Sequence, residues 1–198
     1  MAADWLGASR SEVAAERILD AASELFARHD VAGVGMNEIA RAAGCSRATL
    51  YRYFENREAL HTAYMNREAY RLNQVITDEL AGIAAPRERL IAAITIGIAQ
   101  VRENPALASW FAATQPPIGV ELAEQSEVIK ALTAAFLVSL GPDGPDAEVD
   151  AVVERRARWL VRVITSLLLY PGDDEADERQ MLEEFVVPIV APAATRAT

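Results

Sequence analysis

One cysteine in 198 residues, Cys45, excludes an intramolecular disulfide framework and fits a reducing compartment. The two histidines, His29 and His61, stand apart, with no Cys or acid at ligand spacing, so no metal site is expected. No Gly-rich phosphate loop is present, and no nucleophile, base and orienting group stand in suggestive order, so neither an enzyme nor a cofactor is expected. The longest apolar run, Leu90 to Ala99, is ten residues, whereas a membrane span needs roughly 20. Met1 to Arg10 lacks a basic start followed by an apolar stretch and is not a secretory signal. A soluble, cytoplasmic protein is expected. No run alternates apolar and polar β-branched residues, and helix formers dominate, alanine above all. The chain therefore reads as all-α.

What is present is a high apolar fraction, 52%, enough for a well-buried core, and a net charge of −10 that is unevenly spread. Residues 1–40 carry −4 and residues 72–198 carry −9, but residues 41–71 carry +3. An acidic body would repel nucleic acid everywhere except at that block, which favours one docking orientation. A single +3 module should bind weakly, so two copies are expected to act together.

The positive block surrounds the segment MNEIARAAGCSRATLYRYFENREAL, residues 36–60. It reads as two short helices, about 36–43 and 47–53, with Gly44 at the corner and Ser46 capping the second. The second helix turns Leu50 and Phe54 inward and presents Arg47, Thr49, Tyr51, Arg52 and Tyr53. A short helix of this kind, braced by a small-residue helix before it, suits a DNA major groove. Residues 1–10 read as an arm in which Arg10 is either disordered or near a minor groove. A capping box at Ser9–Glu12 is expected to open a first helix reaching about His29. Asn56 caps a long helix whose inner face runs Leu60, Tyr64, Leu72, Val75, Ile76 and Leu80. Further helices are expected at about 87–102, 105–111, 119–140, 146–169 and 174–190, separated by Gly82–Pro86, the Gln-Pro-Pro at 115–117, the Gly/Pro stretch 141–145 and Pro171-Gly172. That makes about nine helices.

These residues resemble the TetR family of bacterial transcriptional regulators. The likeness rests on Ile18-Leu19, Ala21-Ala22, Leu25-Phe26, Ile39-Ala40, Ala43-Gly44, Thr49-Leu50-Tyr51, Tyr53-Phe54, Asn56-Arg57-Glu58 and Leu60, in order and without gaps. It implies a helix-turn-helix domain over residues 1–55, and an effector-binding and dimerisation domain over 56–198. It implies double-stranded operator DNA and a small-molecule effector as partners, and a homodimer through the helices at about 146–169 and 174–190. Carried over by position, it implies that Arg47 and Tyr51 face the groove, with Thr49 and Tyr53 at the backbone. Arg57 falls where a phosphate contact is usual, and Asn37 where a groove-facing polar residue is common. Ser46 and Arg52 complete the candidate DNA-binding set. Gly35 departs from the family, which often has a Thr there that touches phosphate.

The rest of the chain speaks less clearly. Aromatics in such a body are core by default, but some should wall a cavity. Tyr64, Met65, Trp110, Phe111, Phe136 and Trp159 are the candidates. Arg155, Arg158 and Arg162 form one stripe on the 146–169 helix: a solvated face, or partners for Glu183 and Glu184 on the antiparallel neighbour, or, at Arg162, a contact to an anionic effector or across a dimer. The reading is a ligand-responsive repressor binding a palindromic operator as a dimer. Its rivals are a helical small-molecule-binding protein or enzyme, and a DNA-binding protein without an effector.

Overall fold

The computed structural model describes residues 5–112, 118–141 and 149–190, with side chains from residue 12 onward. Regular elements among them are all helical. The N-terminal group is α1 (Trp5–Phe26), α2 (Met36–Ala42) and α3 (Arg47–Tyr53), and α4 (Arg57–Glu79) leads out of it. Next come α5 (Pro86–Glu103), α6 (Pro105–Ala108) with a 3-10 turn at Ser109–Phe111, α7 (Ile118–Gln125), α8 (Glu127–Ser139) and α9 (Ala151–Leu169). Finally α10 (Glu175–Met181) continues through a π-helical turn at Leu182–Val186 into α11 (Val187–Val190). The expected breaks at 115–117 and 142–145 lie outside the described residues.

Local chemistry explains where the helices differ from expectation. α1 begins at Trp5, ahead of the box at Ser9, so residues 5–10 are helix rather than an arm. It ends at Phe26, not at His29. The expected helix over 119–140 is two helices, because Ser126 acts as a cap. Its Oγ accepts the Ile129 N–H at 3.1 Å and donates to Asn66 Oδ1 on α4 at 2.9 Å. Near the C-terminus Pro188 has no N–H and its ring crowds the preceding turn. The chain relaxes there into a π turn in which the Val187 N–H reaches back to Leu182 O.

Two apolar cores result. The first joins α1, α2 and α3 to the start of α4 and to residues 101–111, so it runs well past residue 55. The second packs α5 and α8 against α9, α10 and α11. On α4, Leu60, Tyr64 and Leu80 are buried, whereas Val75, expected inside, is exposed. An ion pair ties the second core to the first. Arg102 on α5 donates to both oxygens of Glu178 on α10, at 2.6 and 2.9 Å, and to Leu167 O at 2.9 Å. Gly172 N–H adds a third donor to Glu178, and the carboxyl is held below its ordinary range chiefly by the Arg102 bond. A Cβ at Gly172 would stand 2.8 Å from Cγ of Glu178, whose carboxylate Arg102 holds in place, so this close approach favours glycine.

Candidate nucleic-acid interface and effector cavity

The corner between α2 and α3 is built from backbone bonds. Gly44 has φ +66°, its N–H bonds Arg41 O at 3.1 Å, and the Cys45 N–H bonds Ala40 O at 3.0 Å. This is the paired-bond helix ending in which a left-handed residue reverses the chain, and it favours glycine. Ser46 then opens α3, its Oγ accepting the Thr49 N–H at 3.0 Å and lying 2.9 Å from Thr49 Oγ1. Buried Leu50 and Phe54 anchor the helix from beneath.

With α3 fixed, its outer face is Arg47, Ala48, Tyr51 and Arg52, all exposed, beside exposed Asn37 and Arg41 of α2. Tyr51 is 41% exposed and belongs to neither apolar core. Tyr53 is half-buried against the first core, and the Arg52 guanidinium lies 5.3 Å from its ring centroid. Thr49 is half-buried and its hydroxyl is committed to Ser46. Arg57 is turned away from this face: its Nη2 donates to Ala32 O at 2.9 Å and pins the α1–α2 loop. Two of the six arginines in the positive block are likewise neutralised within the fold. Arg67 bonds Glu16, Asp20 and Glu68, and Arg71 bonds Glu68. The interface charge rests on Arg41, Arg47 and Arg52. Arg41 counted toward the positive block in the sequence but was not singled out.

Behind the reading head lies a cavity of about 200 Å³ between α4, α5, α8 and α9. Met65, Phe111 and Phe136 line it, as expected. Leu72, Ile76, Ile94, Gly97, Leu160 and Ile164 make up much of the rest, and sequence reasoning missed them. Gly97 was the available signal: a glycine inside a helix costs roughly 0.5–1 kcal/mol relative to alanine, so its place there calls for a reason. Its virtual Cβ lies 3.4 Å from Ile76 Cδ1.

Four other candidates do not line the cavity. Tyr64 and Trp110 stack at 5.5 Å in an aromatic cluster with Phe26 and His61, wedged between α1, α4 and the 109–111 turn. Gly119 lets α7 pass over Trp110, since a Cβ there would stand 2.7 Å from Trp110 O. Trp159 is half-buried against the second core. Arg162 is 65% exposed and pairs with Glu124 on α7 at 2.7 Å, not with Glu183 or Glu184 and not with the cavity. Glu183 pairs instead with Arg87 and Arg179.

The cavity wall is apolar apart from Glu68, Asn73 and three threonines. Among the described residues Glu68 is its only ionisable group, already held by Arg67 and Arg71. The hydroxyls of Thr77, Thr133 and Thr165 donate to carbonyls of their own helices, leaving only acceptor lone pairs for a ligand. No Lys or Arg among the described residues lines the space. Among the described residues, no helix is long and apolar enough to cross a membrane.

Comparison with known proteins places this geometry. Residues 18–64 match the model of the bacterial regulatory proteins of the tetR family. An uncharacterised HTH-type transcriptional regulator of Mycobacterium tuberculosis H37Rv, Rv1255c, is 62% identical over 98% of this chain and 94% of its own. Among solved structures, the TetR family repressor AlkX from Dietzia sp. strain DQ12-45-1b, implicated in biodegradation of n-alkanes, superposes with a TM-score of 0.65. It is 21% identical and covers 88% of this chain and 93% of its own. FadR of Thermus thermophilus, a repressor in complex with lauroyl-CoA, gives a TM-score of 0.62 at 25% identity, covering 93% and 97%.

Proposed function

The chain belongs to the TetR family of bacterial transcriptional regulators, and from that premise we propose that it is a dimeric repressor released from a palindromic operator by a small, apolar, uncharged effector. Regulators of this family bind operator DNA and small-molecule effectors and form dimers. In this chain residues 1–55 read DNA, and residues 56–198 bind effector and dimerise. Arg47 and Tyr51, flanked by Asn37 and Arg52, enter the groove; Ser46, Thr49 and Tyr53 lie along the phosphate backbone. Arg57 acts from behind, by holding the 31–32 backbone.

One observation carries the ligand-responsive part of this reading. α4 belongs to both halves: Leu60 and Tyr64 are core of the reading head, and Leu72 and Ile76 are wall of the cavity. A ligand that prefers one setting of α4 therefore biases the spacing of the two heads, by no more than its preference between settings. The effector is uncharged because the described wall offers no cation and its one carboxylate, Glu68, is already paired with Arg67 and Arg71. The anionic effector that Arg162 suggested is withdrawn, since Arg162 points to Glu124. Lauroyl-CoA in the Thermus relative supports an apolar chain, but nothing in this wall matches its charged portion.

Dimerisation uses α9 with α10 and α11, where Phe185 is 63% and Ile189 52% exposed beside exposed Val152. Pairing these helices with their symmetry mates makes a four-helix interface and sets the heads about 34–36 Å apart or a near multiple. Footprinting on DNA flanking the protein's own gene tests the assignment. Protection of a palindrome should vanish with Arg47→Ala and Tyr51→Ala and persist with Arg162→Ala. Binding indifferent to the first two would overturn it.

A further inference from the structure

A second cleft of about 340 Å³ lies against the apolar cavity, between α4 and the break that separates α7 from α8. Met65 lines both spaces and is the wall they share. The inner cavity alone, about 200 Å³, is smaller than the roughly 300–1,000 Å³ of ordinary ligand pockets, and the two together fall within that range. Methionine is the residue best able to yield as a partition, being unbranched with three rotatable side-chain bonds.

The cleft differs from the cavity in chemistry. Its lining includes Thr62, Asn66, Gln125, Ser126 and Glu127. Ser126 is buried and fully used, accepting from Ile129 and donating to Asn66 Oδ1. That bond orients the Asn66 amide, so that its NH₂ is the uncommitted end. Gln125 gives one amide N–H to Glu121. The Asn66 NH₂ and the Thr62 hydroxyl are left to donate, no cation stands among the described lining residues, and the Glu127 carboxylate at the rim is paired with Lys130. Such a set accepts a neutral carbonyl or ether oxygen and disfavours a carboxylate or phosphate.

We propose that the effector is a neutral amphiphile that spans both spaces, its apolar chain in the inner cavity and an uncharged carbonyl head beside Asn66 and Thr62, with Met65 moved aside between them. This rests on the effector-cavity reading above and adds where the polar end lies and what it is.

Titration calorimetry on the full-length protein with n-octane, 2-decanone and decanoate tests it. 2-Decanone should bind about five- to tenfold tighter than n-octane, the worth of one or two hydrogen bonds, and decanoate more weakly than 2-decanone. Asn66→Asp keeps the acceptor for Ser126 but removes the donor, and should abolish the ketone's advantage while leaving n-octane affinity within twofold. Met65→Ile, whose β-branched side chain is stiff at χ1, should remove the ketone's advantage by fixing the partition, whatever its effect on n-octane itself. Thr62→Val, at an exposed position with no packing role, gives the same reading should Asn66→Asp fail to fold, with a two- to fivefold loss for the ketone alone. If n-octane binds but 2-decanone gains nothing, or keeps its advantage in these variants, the bipartite site is wrong and the cavity reading stands. Decanoate binding as tightly as the ketone also overturns it. If no probe binds, both readings fall together.

Discussion

Arg67 on α4 donates to Asp20 on α1 at 2.8 Å, while its Nε holds the Glu68 carboxylate, a cavity-lining group, at 2.9 Å. Glu16 and Leu19 O accept from the same guanidinium, whose side chain is only 8% exposed. One side chain thus joins the cavity wall to the first helix of the reading head.

Arg67→Ala should therefore uncouple the two sites. It leaves a buried carboxylate without its main partner, and a loss of about 2–4 kcal/mol in stability is expected. Operator affinity measured with and without n-octane should differ clearly in the parent protein and little in the variant. Arg67→Lys keeps the charge but not the fork that serves Glu16, Asp20, Leu19 and Glu68 together, and should lie between them. A variant that still releases DNA fully on octane would show that the coupling runs elsewhere.

Arg47→Ala removes the exposed cation at the start of α3, where a bidentate base contact is worth about 1–3 kcal/mol. Operator affinity should fall at least about tenfold, with relaxed preference at one base position in a substitution scan of the operator. Arg52→Ala should instead weaken binding evenly across sequences and shallow the salt dependence by about one ion per head. Even weakening across sequences in both variants would show that neither residue reads bases.

How much of this the sequence discloses follows the range of the forces involved. The α2–α3 corner is legible because Gly44 and Cys45 bond Arg41 O and Ala40 O and Ser46 caps Thr49, all within a few residues. The start of α4 is legible for the same reason, since the Asn56 side chain accepts the Ala59 N–H at 2.7 Å. The α7–α8 break is not, because Ser126 becomes a cap only with Asn66, 60 residues away, as its second partner. Arg162 finds Glu124 across 38 residues, and its neighbours in sequence give no hint of that. The charge of residues 41–71 is legible as a sum but not as a direction: Arg67 and Arg71 face α1 and Glu68. A cavity is harder still, because its wall is made of residues that elsewhere would be core. Tyr64 and Trp110 look like lining and are core; Leu72 and Ile76 look like core and are lining.

His61 sets a pH dependence. It is buried between Phe26 and Trp110 with Nε2 unpartnered, and burial first, then Arg57, pushes its pKa down from 6.5 to about 4. The fold thus favours the neutral ring, while the unfolded chain takes up a proton near pH 6.5. This contribution is complete above pH 6.5 and is lost as pH falls toward about 4, by up to about 3 kcal/mol. Denaturant melts across that window should show stability declining with acidity, and His61→Phe should flatten the decline. An unchanged slope in the variant would assign the effect to other groups.

Gly97→Ala should separate stability from ligand binding. Its new Cβ would meet Ile76 Cδ1 at 3.4 Å, an ordinary contact, so the helix gains about 0.5–1 kcal/mol from losing a glycine. The methyl group also takes space from a cavity of about 200 Å³. The melting temperature should rise while n-octane affinity falls several-fold, and Gly97→Leu should abolish binding. Undiminished octane affinity in both variants would place the ligand elsewhere.

The proposed dimer interface on the C-terminal helices can be tested at its exposed apolar residues. Phe185 in the π turn and Ile189 on α11 stand one turn apart because the π turn shifts the register ahead of Pro188, keeping Leu182, Val186, Val187 and Val190 inward. Burying two such side chains against a partner is worth roughly 1.5–3 kcal/mol each, and the symmetry of the interface counts every contact twice. Phe185→Asp places a charge where its own symmetry mate would face it. Sedimentation should show a monomer whose helix content is unchanged, since Phe185 contributes little to the monomer's core. Operator affinity should collapse by far more than the effect of any single DNA contact, because the second head is no longer delivered at high effective concentration. A Phe185→Asp protein that remains dimeric and binds DNA normally would move the interface away from these helices.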